Sequence, residues 1–547
     1  MYNFSENEVL KTVRTKWRQP HTVKTTGNTG DLMPIYAKEI LPNDFIEMDL
    51  NSLIKMTTPN FQTMDVAFLD VHAYFVPRRL LWKHWKNFLG EKSVGPHEVE
   101  PTYKIPKTTA PSGGWTENTI ADYLGIPTKV DNLKVDSAYF RAYCMIWNEW
   151  YRDQNRQDFT DFSDGDENIT GSNGSDYVVD AIKGGRCLKA AKIHDYFTST
   201  LLEPQAGDPV TLPLGSTAPV VTVQGGNSGA TVGLTFNRID VQGYHNLYTS
   251  TFSTNTFSSA LAKNDVDSSV DPFAPGMSPL VPQNLFADLS DAVAPTVNEL
   301  RRAFQLQKVL EANNRSGSRY VEQLRNRWDV IPSDATLQRP EFLGGRRIPI
   351  NVEMVVQTSS TDTESPLGQI SGFSNTLDRS SIFSKGFEEH GILMFVAVVR
   401  HNRTYQQGLH KKFTRENMED FYMPEFQNIG EVPVYNYEIF ASGIASKDNG
   451  VFGYQEYASE YRYEPNIVTG QFRSNATNSF DNWHYADDYS DTPVNGADWI
   501  VETPDSVDRT LTVTSETSNQ FYFEFEFDET IVRSMPPHSI PGFIDHH

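Results

Sequence analysis

Strand-like patterning dominates the chain. Phe521–Phe527 (FYFEFEF) places four phenylalanines on one face and Tyr522, Glu524 and Glu526 on the other. Strict alternation of this kind predicts a strand with one dry and one wet face. Thr510–Thr514 (TLTVT) alternates in the same way, and Asp65–Val76 is rich in the β-branched and aromatic residues of strands. Ile392–Val399 is a continuous apolar run, far shorter than the ~20 residues a membrane helix needs. It predicts a strand covered on both faces. Helical spacing appears in four places. Pro77–Gly90 lines up Leu81, Trp85 and Phe88, and Ser137–Tyr151, with Asp136 as N-cap, stacks Phe140, Tyr143, Trp147 and Tyr151. Thr296–Asn313 opens with the Thr296/Glu299 spacing of a capping box and carries Leu300, Ala303, Phe304 and Leu310. A shorter helix follows, with Tyr320, Leu324 and Trp328 spaced by four. These aromatic stripes predict core packing rather than a cofactor site.

Two segments break the pattern. Residues 216–269 are rich in Ser, Thr, Gly and Asn and predict a surface insertion with short strands. Residues 161–175 form a second polar, Gly-rich loop, whose Asn168–Thr170 sequon carries no weight without a secretory signal. Composition narrows the reading. The 547 residues are 38% hydrophobic and 12% aromatic, enough for a sizeable core. Two cysteines, Cys144 and Cys187, exclude a disulfide framework within one chain. With no apolar leader or spanning segment, a soluble chain made in a reducing cytoplasm is expected.

The net charge of −23 argues against wrapping nucleic acid with the whole surface. Charge is nonetheless segregated. Residues 1–30 form a mildly basic arm, in which Lys11, Arg14, Lys16 and Arg18 surround Trp17, a pairing of cations and aromatic suited to single-stranded DNA. A second basic cluster, Arg301, Arg302, Lys308, Arg315, Arg319, Arg325 and Arg327, could line one surface or make ion pairs between subunits. Residues 481–547 hold fourteen acidic residues against Arg509 and Arg533. Signatures of catalysis, nucleotide loops and metal ligation are missing: the thirteen histidines are scattered, and QGGNSG (Gln224–Gly229) lacks the lysine and helix of a phosphate loop. No catalytic residue, cofactor or metal is assigned. The alternative is a carbohydrate-binding or glycoside-hydrolase-like protein, with Asp487, Asp488 and Asp498 beside Trp483 and Trp499, although a solvated acidic edge accounts for the same residues.

Several long segments narrow the choice further. They include GDLMPIYAKEILPNDF (Gly30–Phe45), FVPRRLLWKHWKNFLGE (Phe75–Glu91), FRAYCMIWNEWYRDQN (Phe140–Asn155), HDYFTSTLLEPQAGDPVTLPLG (His194–Gly215), FGYQEYASEYRYEPNIVTGQFRS (Phe452–Ser474) and RSMPPHSIPGFIDH (Arg533–His546). In these segments, and in their order, the chain resembles the major capsid proteins of microviruses, specifically the gokushovirus branch of small single-stranded DNA phages. The resemblance implies an eight-stranded antiparallel jelly roll with long inserted loops over residues 31–547. It also implies a homo-oligomeric icosahedral shell of T=1 type, assembled in the host bacterial cytoplasm around circular single-stranded DNA. Further partners implied are a small basic DNA-binding protein, scaffolding or other virion proteins, and a host surface receptor met by the 216–269 insertion. The tail, residues 534–547, is apolar and stiffened by proline, so Met535, Pro536, Pro537, Ile540 and Phe543 are expected to contact a neighbouring subunit.

Overall fold

The computed structural model describes residues 13–95, 97–99, 101–208, 210, 297–317, 319–359 and 367–538, together with the backbone of short strands between residues 220 and 287. The chain divides into two compact units, residues 1–206 with 311–547 and residues 207–310.

The larger unit is built on two antiparallel sheets. Its principal strands are β1 (Arg14–Arg18), β2 (His21–Gly27), β3 (Met33–Ile40), β4 (Phe45–Met56), β5 (Ala67–Pro77), β6 (Glu341–Ile350), β7 (Thr376–Gly386), β8 (Gly391–His401) and β9 (Phe521–Ser534). One sheet runs β1–β9–β4–β7, with β2 following β1 along β9; the other runs β6–β5–β8–β3. The pairing is nested. β1 and β2 pair with β9, β3 with β8, β4 with β7, and β5 with β6, all antiparallel. Pairing of β9 with β4 and of β8 with β5 completes the sheets.

Period-two patterning explains how the sheets stack. Phe521, Phe523, Phe525 and Phe527 of β9 turn inward and are buried, with Ile46, Met48, Leu50 and Ile54 of β4. From the other sheet, Leu69, Val71 and Ala73 of β5 and Leu393, Phe395, Ala397 and Val399 of β8 join the same core. The alternate residues of β8, Ile392, Met394, Val396 and Val398, face a second core built around α1 (Ala138–Trp150). The apolar run is therefore continuous because both of its faces are covered, as its sequence predicts. Ahead of α1, whose N-cap is Ser137 and not the expected Asp136, Asp136 Oδ1 accepts from the Ala138 amide at 3.0 Å. The buried aromatics have their polar ends satisfied: Tyr143 donates to the Leu32 carbonyl at 2.7 Å, and Trp147 to the Lys189 carbonyl at 2.8 Å.

Three sequence expectations need correction. Residues 77–90 form two short helices, Arg78–Leu81 and Trp85–Phe88, because Trp82 is extended between them and its indole donates to Asp166 at 2.6 Å. Thr510–Thr514 is a turn with a single bridge from Leu511 to Pro59; the Thr510 hydroxyl folds back onto the Val507 carbonyl at 2.7 Å. The helices α2 (Val297–Ser316) and α3 (Tyr320–Trp328) form, but neither has a buried residue. Phe304, Tyr320 and Trp328 are more than 60% exposed, so these stripes are surface rather than core.

The smaller unit holds nested two-stranded pairs: Leu247–Thr249 with Leu261–Lys263, Phe236–Arg238 with Leu280–Pro282, and Val220–Thr222 with Leu285–Ala287. Short strands are what the polar texture of residues 216–269 predicts, and the unit extends past that segment on both sides.

Candidate functional site

The two segments singled out for contacts, near the start and the end of the chain, meet in the structure. Arg14 pairs with Ser534 and Arg18 with Thr530, so the first described strand is the edge partner of the last. Alternation along β1 turns Arg14, Lys16 and Arg18 to one exposed face and Thr15 and Trp17 to the other. Trp17 packs against the inter-sheet core. Arg14 donates to the Asn43 carbonyl at 2.9 Å. Arg18 grips Asp528 with two hydrogen bonds, 2.8 and 2.5 Å, which hold that carboxyl below its ordinary range. The described part of the basic arm is thus a strand of the sheet, with Lys16 exposed between two engaged arginines. Lys11 lies outside the described residues.

Beyond β9, Met535 is half-exposed and Pro536 and Pro537 are exposed. Trp17, Gln19, Ile531, Arg533 and these three residues line one open cleft of about 530 Å³. Arg533 is held away from the tail by Asp44, at 2.8 and 2.5 Å. Ile540 and Phe543 lie outside the described residues. In the second basic cluster, Arg315 pairs with Glu431 at 2.6 Å, and Arg319 donates to the carbonyls of Asn148 and Arg152 at 3.2 and 3.0 Å. Those two arginines are therefore already engaged within one subunit.

The acidic carboxy-terminal region holds a feature that sequence reasoning missed. Asp487 and Glu502 are buried and converge on Arg403, with Lys192 and His401 alongside. Arg403 lies 2.8 Å from Asp487 and contacts Glu502 directly; His401 is 3.2 Å from Glu502. Burial pushes the Asp487 carboxyl up, but the charges of Arg403 and Lys192 outweigh it and hold it well below its ordinary range. Against the same burial penalty, Arg403 and His401 bring Glu502 to about 2. Burial brings the Lys192 ammonium to about 8 in spite of Asp487, and it lies 4.6 Å over the Trp499 ring. No local signal marks this cluster, because its members span residues 192–502.

The same geometry overturns the sugar-site reading and the solvated-edge account of Asp487. A catalytic pair needs one carboxyl poised to give a proton across an open cleft. Here Asp487 is buried and ionised against arginine. Trp483 is stacked on Phe61 at 5.1 Å, and Trp499 packs edge-on against Phe452. Among the described residues, no cluster of three or more His, Cys, Asp or Glu side chains could hold a metal, and no helix is long and apolar enough to cross a membrane.

The family model described as "Capsid protein (F protein)" matches residues 6–543. The chain belongs to this microvirus capsid protein family. It is 38% identical to capsid protein VP1 of Bdellovibrio phage phiMH2K over 99% of this chain and 97% of the relative. It is 37% identical to VP1 of Spiroplasma virus 4 over 97% and 95% of the two chains. For VP1 of Chlamydia phage 1 the identity is 34%, over 98% and 97%. A capsid protein is a structural, non-enzymatic component of the virion, which accounts for a chain whose polar clusters tie segments together rather than present reactive groups.

Proposed function

We propose that copies of this chain close into an icosahedral shell of T=1 type around circular single-stranded DNA, each copy built on an eight-stranded jelly roll. The observation that carries this reading is the nested antiparallel pairing. When β1 and β2 are counted as one interrupted strand, first pairs with last, second with seventh, third with sixth and fourth with fifth. A ribbon of that kind, folded over on itself, yields two packed sheets whose connecting loops are free to grow. The long connections between β5 and β6 and between β8 and β9 then supply the several distinct contact patches that closed symmetry demands.

Within this reading, Lys11, Arg14, Lys16 and Arg18 face the DNA, assisted by a small basic protein. The tail residues Met535, Pro536, Pro537, Ile540 and Phe543 dock on a neighbouring copy, and residues 216–269 meet the host surface. The open cleft beside Trp17 and the exposure of Met535 support the tail assignment. Electron microscopy of the purified full chain, with light scattering, tests the shell: closed particles or their pentameric building blocks are expected, and a strictly monomeric protein under all assembly conditions overturns it.

A further inference from the structure

A cavity of about 360 Å³ in the larger unit runs from a buried floor to an exposed lip. Phe197, Tyr405 and Val468 form the floor and are 2%, 4% and 9% exposed; Leu409, Phe413 and Ile467 stand at the lip, 40%, 71% and 68% exposed. Backbone hydrogen bonds set this shape in advance. Thr404–Tyr405 pairs in parallel with Asn466–Ile467, the Val468 amide donates to the Tyr405 carbonyl at 3.1 Å, and the Leu409 amide donates to the Tyr437 carbonyl at 2.7 Å. We propose that this cavity binds a fatty carboxylate, with a single acyl chain along the apolar wall and its head group at Lys411 and Arg473.

The apolar wall is the first argument. A preformed apolar concavity left to water loses free energy that a hydrocarbon chain lying in it recovers. Charge on the wall is the second, because it is unevenly compensated. Glu460 pairs with Arg415 and Glu464 with Lys412, each at 3.3 Å. Glu438, the remaining acid, is buried and accepts from the Tyr435 amide at 3.0 Å and the Tyr196 hydroxyl at 3.1 Å. Burial raises its pKa toward the neutral form, with the charge of Lys411 opposing. Lys411 and Arg473 line the same cavity and are partly buried, and among the described residues neither makes an ion pair. Arg473 donates instead to the Gln406 carbonyl. Two cations are thus left without an anion beside an apolar surface.

Ligand chemistry follows from that pairing. A ligand that satisfies both features has an apolar body and one anionic end. A carboxylate suits the arginine fork and the lysine ammonium alike. The volume lies near the lower end of the range for small-ligand sites, which leaves room for one acyl chain but not for the paired chains and head group of a membrane lipid. An apolar side chain from a second copy is the competing occupant. Such a side chain covers the floor and lip but leaves Lys411 and Arg473 unmatched, so the charge balance favours the free carboxylate.

The inference stands apart from the shell reading, because every residue of the cavity belongs to one chain. The test titrates octanoate, decanoate and dodecanoate into the purified full chain by calorimetry. One saturable site is expected, with affinity rising about tenfold for each pair of carbons added. Lys411→Glu is expected to weaken decanoate about tenfold and to leave decanol, which has the same chain without the charge, unchanged. Val468→Phe fills the floor and is expected to abolish binding of both probes. If Val468→Phe does not fold, the chain-length series and Lys411→Glu carry the test. Absence of saturable decanoate and dodecanoate binding overturns the proposal, as does decanoate affinity unaltered by Lys411→Glu. Unaltered affinity in folded Val468→Phe overturns it too, and loss of particles in that variant then assigns the cavity to a side chain of a second copy.

Discussion

At the residue scale, the cluster around Arg403 holds the long segment between β8 and β9 to the body of the subunit through charge. Two buried carboxylates facing one guanidinium are tolerable only while all three groups remain, because removal of one partner leaves the others charged and dry. Arg403→Met is expected to destabilise the folded chain by about 3–5 kcal/mol, read from urea unfolding. Acidification acts through the same groups. Asp487 and Glu502 have depressed folded-state pKa values, so the stability they contribute is complete above their unfolded values near 4 and is lost as the pH falls through the folded value of about 2 for Glu502. His72 enters earlier. Burial holds its imidazole at about 4, and it hydrogen-bonds Tyr151 at 2.6 Å. The unfolded chain takes up that proton first, so stability declines as the pH falls from about 6.5 to 4. Unfolding midpoints measured across this range are expected to flatten in H72Q; an identical slope in the variant contradicts the assignment.

At the element scale, β9 shows how a period-two pattern becomes a structural seam. Its phenylalanine face is buried between the sheets, while Glu524 is half-exposed opposite Lys24 at 3.8 Å. Phe525→Ala is expected to cost about 3–5 kcal/mol. Glu524→Gln, at the adjacent residue on the opposite face, is expected to stay within about 0.5 kcal/mol, and chemical denaturation of both separates face from face. This seam was legible in FYFEFEF, as was the double burial of β8 in its unbroken apolar run. The helices were legible as elements but not in their environment. The aromatic stripe of α1 is buried, whereas Phe304 on α2 and Trp328 on α3 are open to solvent. Spacing specifies which residues share a face; it does not specify what covers that face. In a subunit of a shell, an uncovered apolar face is available to a neighbour.

At the scale of the whole molecule, the first and last described strands pair at one side of a sheet. β1 lies along β9, and the tail emerges beside Trp17. Deleting the residues after Arg533 leaves the Arg533–Asp44 pair intact, so the truncated chain is expected to fold with near-normal stability yet fail to form particles by electron microscopy. Normal particles from that deletion remove the tail from assembly. For the basic edge, K16A is expected to lower the salt dependence of DNA binding, with a smaller effect from R18A, whose side chain is already committed to Asp528. Binding measured at several salt concentrations distinguishes the two.

The sequence by itself determined the strand-rich class, the inward face of β9, the strand buried on both sides, the α1 core helix and, through its long ordered segments, the family. These are local or cumulative signals, carried by periodicity and by runs of residue identity. The tertiary structure alone decided that Arg14–Arg18 of the basic arm is an edge strand, that Asp487 and Glu502 are buried against Arg403, and that Arg152, Arg315, Arg319 and Arg400 line a single cavity. Each of those depends on groups brought together from far along the chain, and Coulomb and desolvation energies act through distances in space. A charged residue reads the same in the sequence whether it is solvated or buried; only its neighbours in the fold set which it is.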